Sequence, residues 1–137
     1  AETVGNKESN IILVNSAVVP GGPSPMTFYD SGGDAIGTID GFSKERWPRA
    51  KWYPILINTM SIHDLLFTVG YDFDFISIDV EGINLELFLS LPLDKLTNLK
   101  MICVEHDGKV VRMTEYLGKD WTLIDMNPEN AIYLKNA

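Results

Sequence analysis

The chain has 137 residues, 45% of them apolar, and its 11 Lys and Arg stand against 19 Asp and Glu for a net charge of −8. That length suits one domain, the apolar share is too high for a disordered chain, and no apolar run reaches the roughly 18 residues of a membrane span. So acidic a surface repels a phosphate backbone, which speaks against nucleic acid as a partner. The single cysteine, Cys103, lies in an apolar run and has no internal partner, so a reduced, cytoplasmic setting is expected. The opening AETVGNKESN is polar, and no secretory signal is expected there.

In chain order, Ile11-Ile12-Leu13-Val14 leads into Asn15-Ser16-Ala17-Val18-Val19. This run predicts a strand buried on both faces, as in a parallel sheet. Residues 20–54 hold five of the seven prolines. They predict a long irregular insertion, functional or mobile, with one strand at Met26-Thr27-Phe28-Tyr29. Its glycines between Ser31 and Gly37 are followed by Thr38-Ile39-Asp40-Gly41, which offers no helix. That stretch therefore reads as a flexible loop and not as a phosphate cradle. Trp47, Trp52 and Tyr53 either pin the insertion to the body or line a cleft.

Ile55-Leu56-Ile57 reads as a short strand. Ser61 caps a helix reaching Val69, with Asp64 at the favoured third position and Gly70 as the stop. The run Phe73 to Gly82 holds a central strand, marked by Phe75, Ile76 and Ile78, that ends abruptly in Asp79 and Glu81. A helix follows, with Ile83, Leu87 and Leu91 on one face, and Pro92 ends it. Met101-Ile102-Cys103-Val104 is a third strand closing in Glu105-His106-Asp107-Gly108. Val110 to Leu117 reads as a helix stopped by Gly118. Trp121–Asp125 and Ala131–Leu134, joined by a short turn, form an antiparallel pair. Alternation of this kind predicts a single α/β domain, Rossmann-like, with a mostly parallel sheet and a C-terminal antiparallel hairpin. Such sheets bind ligands at the carboxyl ends of their strands, where Asn15, Asp79, Glu81, Glu105 and His106 stand.

Asp79 ends a run of apolar residues, where a buried carboxylate is costly unless it is paired or solvated in a cleft. Glu81 either faces the same crevice or caps the helix after it. His106, beside two acids, is a candidate general base or an ordinary loop histidine. His63 and Asp64 are neighbours on a helix but lack the spacing of a metal motif, so no metal is expected.

The run Phe73-Asp74-Phe75-Ile76-Ser77-Ile78-Asp79-Val80-Glu81-Gly82, followed by Leu85-Glu86, resembles the signature of the FkbM family of methyltransferases. These are class I enzymes that use S-adenosylmethionine and mostly methylate oxygen. Ser61 to Leu66 is similar to that family's helix start, Cys103 to His106 to its fifth strand, and Trp121 to Leu134 to its closing pair. The resemblance implies that Asn15, Ser16 and Ala17 lie near the adenine, and Asp79 and Val80 near the methionine end. It puts Glu81 and His106 against the hydroxyl of a small-molecule or glycan acceptor, with residues 20–54 as a lid.

Two positions depart from the family. Asn84 stands where it has a second Glu, which thins the acidic site, and His63 stands where it has an Asp. The cofactor loop after the first strand and the ribose-binding acid on the second have no counterpart. The resemblance therefore implies a partial domain lacking the first two strands of the order 3-2-1-4-5-7-6. That leaves the Phe75–Asp79 edge open for a homodimer or a partner segment. Two other expectations stand beside it. One is a catalytically inactive binding or assembly module of the same fold. The other is a receiver-type phosphoacceptor domain, against which stand Asn15-Ser16 in place of an acidic pair and Glu105 in place of a lysine.

Overall fold

The computed structural model describes residues 3–5, 11–33, 36–39 and 41–137, with the backbone alone at 3–5 and 42–44. In chain order the elements are β1 (Thr3–Gly5), β2 (Ile12–Val14), β3 (Ala17–Val19), β4 (Met26–Asp30), a 3-10 helix (Gly41–Arg46), β5 (Tyr53–Ile57), β6 (Thr59–Ser61), α1 (Ile62–Val69), β7 (Phe75–Ile78), α2 (Asn84–Leu89), β8 (Met101–Glu105), α3 (Val110–Leu117), a short 3-10 turn (Gly118–Asp120), β9 (Trp121–Met126) and β10 (Asn130–Lys135). Together they make a mixed α/β fold with parallel and antiparallel strands.

Local signals explain the helices. Ser61 Oγ accepts the Asp64 N–H at 3.0 Å and so satisfies one of the free donors at the start of α1. Gly70, at φ 96°, returns its N–H to the Leu66 carbonyl and ends that helix. Gly118, at φ 67°, ends α3 in the same left-handed region. On each helix two apolar residues four apart are buried, Ile62 with Leu66 and Met113 with Leu117.

The largest sheet has the order β7-β8-β10-β9. β7 and β8 are parallel, with Ile76 opposite Ile102 and Ile78 opposite Val104. β10 is antiparallel to both of its neighbours. Asn127 Oδ1 accepts the N–H groups of Glu129 and Asn130, an Asx-type turn that sends β10 back between β8 and β9. The main sheet is mixed: β7, β8 and β9 run in one direction and β10 alone is reversed, as the expected C-terminal hairpin requires. Among the described residues only β7–β8 and β3–β6 are parallel pairs, and the hairpin makes the rest of the main sheet antiparallel.

One face of this sheet presents Ile78, Ile102, Val104, Ala131 and Tyr133, all buried among side chains from α1, α2 and α3. Phe88 is fully buried at its centre, its ring centroid 6.0 Å from those of Tyr116 and Tyr133. The opposite face is barer, with Phe75 51% and Leu134 39% exposed.

Two expectations are corrected in the first half. Ile11, Ile12 and Leu13 are exposed, because β2 has one described neighbour, the antiparallel β1, and no covering layer. Residues 20–54 are not simply irregular either. β4 pairs antiparallel with β5, Met26 opposite Ile57 and Asp30 opposite Tyr53, so the insertion is built on a two-stranded arm. Aromatic and β-branched residues such as Phe28, Tyr29 and Ile57 favour that pairing. Of the glycine-bearing loop, residues 34 and 35 lie outside the described residues. Among the described residues, no helix is long and apolar enough to cross a membrane.

Candidate functional site

The carboxyl ends of β7 and β8 carry Asp79, Glu81, Glu105 and Asp107 within one neighbourhood. Carboxylates so close repel one another, and a buried amide bridges two of them, Glu105 and Asp107. Asn84, with no solvent exposure, opens α2. Its Oδ1 accepts the Val80 N–H at 2.8 Å. Its Nδ2 donates to Glu105 Oε2 at 2.8 Å and to Asp107 Oδ2 at 3.0 Å. Both N–H donors of the amide and one lone pair of its oxygen are thus engaged, as burial favours. A glutamate at position 84 would place another negative charge against two acids, whereas asparagine bridges them. Asn84 therefore orders the acidic site instead of thinning it. The signal that could have found it is a lone amide within the apolar run Ile83 to Leu89, which needs partners once buried.

The arm of residues 20–54 reaches the same place through two contacts. Thr38 Oγ1 donates to the Glu81 carbonyl at 2.6 Å. Arg46 Nη1 pairs with Asp107 Oδ1 at 3.1 Å. Asp107 itself sits at φ 49°, a left-handed conformation that Asp tolerates better than most residues. Burial raises the Glu81 carboxyl above its ordinary value; Arg46 opposes this, while Asp107 and Asp79 add to it. Burial also raises Glu105, against the Asn84 hydrogen bond and with the help of Asp107, Glu81 and Asp79.

A cavity of about 460 Å³ opens beside these strand ends. Ser16, Ala17, Asp79, Val80 and Glu81 all line it, five of the seven residues that the sequence singles out for cofactor or catalysis. Phe28, Gly37 and Thr38 supply the wall from the arm, and a methyl group at Gly37 would collide with the Phe28 ring. Asn15 lies apart, exposed, on a neighbouring recess of about 330 Å³ that it shares with Ile57 and Asn58.

His106 does not fit the role of base. It is buried, and both ring nitrogens are engaged. The Gly108 N–H donates to Nδ1 at 2.9 Å, and Nε2 lies 3.0 Å from the Asn127 carbonyl. An N–H can only donate and a carbonyl can only accept, so the ring carries its proton on Nε2 and has no free lone pair. The imidazole ties the β8–α3 turn to the β9–β10 hairpin. Nor does Glu81 cap a helix: α2 starts at Asn84, behind Ile83, and Glu81 occupies the turn before it.

On the other side of Asp79 lies a second hollow of about 590 Å³, along the edge of β7 that is unpaired among the described residues. Ile12, Val14 and Val18 form one wall, and Phe75, Ile76 and Ile78 another. Asp79 and Val80 line both cavities. No protein-family model matches the chain, and neither does any curated protein or solved structure.

Proposed function

We propose that the chain is part of an S-adenosylmethionine-dependent O-methyltransferase of FkbM type, acting in the cytoplasm on a hydroxyl of a small molecule or glycan. The convergence of Ser16, Ala17, Asp79, Val80 and Glu81 on one cavity carries this reading. The strand order β7-β8-β10-β9 agrees with the 4-5-7-6 half of the class I order and adds support.

The residues present suit one end of the cofactor. The cavity volume falls within the roughly 300–1,000 Å³ of small-molecule sites. The Asp79 and Glu81 carboxylates complement a sulfonium or an ammonium group. The ribose end is different: no acid on a strand beyond β7 faces it among the described residues. Bound there, S-adenosylmethionine supplies an electrophilic methyl group. The chain's own part is to orient the acceptor, exclude water beneath the arm and take the acceptor's proton. Glu81 serves as that proton acceptor, since it lines the cavity and burial moves its pKa towards the working pH.

The free edge of β7 and the hollow beside it leave room for further strands. A second copy or a partner segment completes the sheet there in this reading. Calorimetric titration with S-adenosylmethionine tests the proposal. Binding is expected, and Asp79→Asn, at an exposed position, weakens it by roughly tenfold without lowering the melting temperature. Absence of binding by a folded chain removes the cofactor and leaves the inactive binding module.

A further inference from the structure

Four of the eleven Lys and Arg residues fall between positions 44 and 51, and Trp47 and Trp52 lie among or beside them. In a chain of net charge −8 this is a local reversal of sign. The backbone there is ordered by a turn: the Ala50 N–H donates to the Trp47 carbonyl at 3.0 Å, with Pro48 at the second position that such turns favour. Trp47 is 47% exposed and separates two recesses. One, of about 600 Å³, has Arg46, Pro48 and Arg49 in its wall. The other, of about 400 Å³, has Gly41, Glu45 and Trp52. The Arg46 side chain is 55% exposed even while paired with Asp107, so it keeps donors for a ligand.

We propose that the turn Arg46–Ala50 is a binding site for a small anionic sugar, one bearing a carboxylate or a phosphate. The indole face of Trp47 packs against the C–H face of the sugar ring. The guanidinium forks of Arg46 and Arg49 take the anion in paired, charge-assisted hydrogen bonds. Size and charge select the ligand class. A polyanion such as a nucleic acid meets the repulsion of the whole acidic molecule, whereas a ligand with one or two charges feels mainly the local cations. A bilayer anchor projects its aromatic residues outward, and here Trp47 borders concave recesses on either side. The assignment of this site to the acceptor side of methyl transfer rests on the function proposed above; the binding itself does not.

Saturation-transfer NMR on the 137-residue chain tests this with glucuronic acid, glucose 6-phosphate and glucose as probes and inorganic phosphate as a competitor. Transfer to the ring protons of one or both charged sugars is expected, and the two identify which anion is preferred. Glucose is expected to bind roughly tenfold more weakly or worse. Trp47→Ala abolishes the transfer, and Arg49→Ala weakens binding by roughly tenfold with Arg49→Lys between it and the parent. Circular dichroism and melting stay unchanged for the Arg49 variants, which keeps the test readable should Trp47→Ala fail to fold. Equal binding of glucose, full displacement of the charged sugars by equimolar phosphate, or no effect of either Arg49 substitution overturns the proposal. Retention on anionic vesicles without sugar binding also overturns it, in favour of a membrane surface. S-adenosylmethionine titration reads the other cavity, so either proposal can fail while the other stands.

Discussion

Residues 11–60 and 62–137 are both rich in apolar side chains, yet they fare differently. Of the sixteen buried apolar residues among those described, only Val19 precedes Ile62. In the first region Ile11, Ile12, Leu13, Ile55 and Leu56 are 45–73% exposed. Hydrophobicity alone does not decide burial; a covering layer does. The second region stacks helices on a four-stranded sheet, and the first consists of two-stranded ribbons with one neighbour each.

The contrast can be broken or sharpened by substitution. Phe88→Ala empties the centre of the second region and should cost about 3–5 kcal/mol in urea unfolding. Asn84→Ala strands the Val80 N–H and leaves Glu105 and Asp107 unbridged, a loss of about 1–3 kcal/mol by the same measurement. Leu56→Ala, at a side chain 73% exposed, should stay within about 0.5 kcal/mol. A larger loss would mean that the arm is covered in solution. Phe75→Lys places a charge on the open edge strand. Light scattering should show less self-association for it than for the parent chain at equal concentration.

The smallest expected effect concerns charge. Burial and the neighbouring acids raise Glu105 above its ordinary value of 4.5, so the folded state binds the proton more tightly than the unfolded one. Its contribution to stability therefore grows as the pH falls from above the folded pKa towards 4.5 and declines as the pH rises. Glu105→Gln removes that dependence. The variant should melt no lower than the parent at neutral pH, and the difference between them should close as the solution is acidified. A variant that melts lower at neutral pH would show that the carboxylate is held by more than Asn84.

What could be read from the sequence follows the range of the forces involved. Ser61, Gly70 and Gly118 act within a turn of themselves, and α1 and α3 end where those residues predict. The β9–β10 pair is likewise set by its own turn. The exposure of Ile11 to Leu13 was not legible, because it depends on which strands lie alongside. Nor was the β4–β5 arm, whose pairing of Met26 with Ile57 spans too many residues for one local turn to set it. At the site, Asp79 and Glu81 stood out through their position after an apolar strand. Arg46 reaches Asp107 across 61 residues, a contact that no local pattern announces. His106 looked like a base because of its neighbours, although the Asp107-Gly108 turn after it already supplies an N–H for its ring.

β10 lies between β8 and β9, hydrogen-bonded along both sides. The last of the described strands is thus interior to the sheet. During synthesis β7 and β8 emerge first, but β8 has no neighbour on its other side until residues 130–135 leave the ribosome. A chain cut before Asn130 would leave Ile102, Val104 and Met113 without Ala131 and Tyr133 to cover them. An apolar surface left open in that way favours aggregation of the unfinished fold.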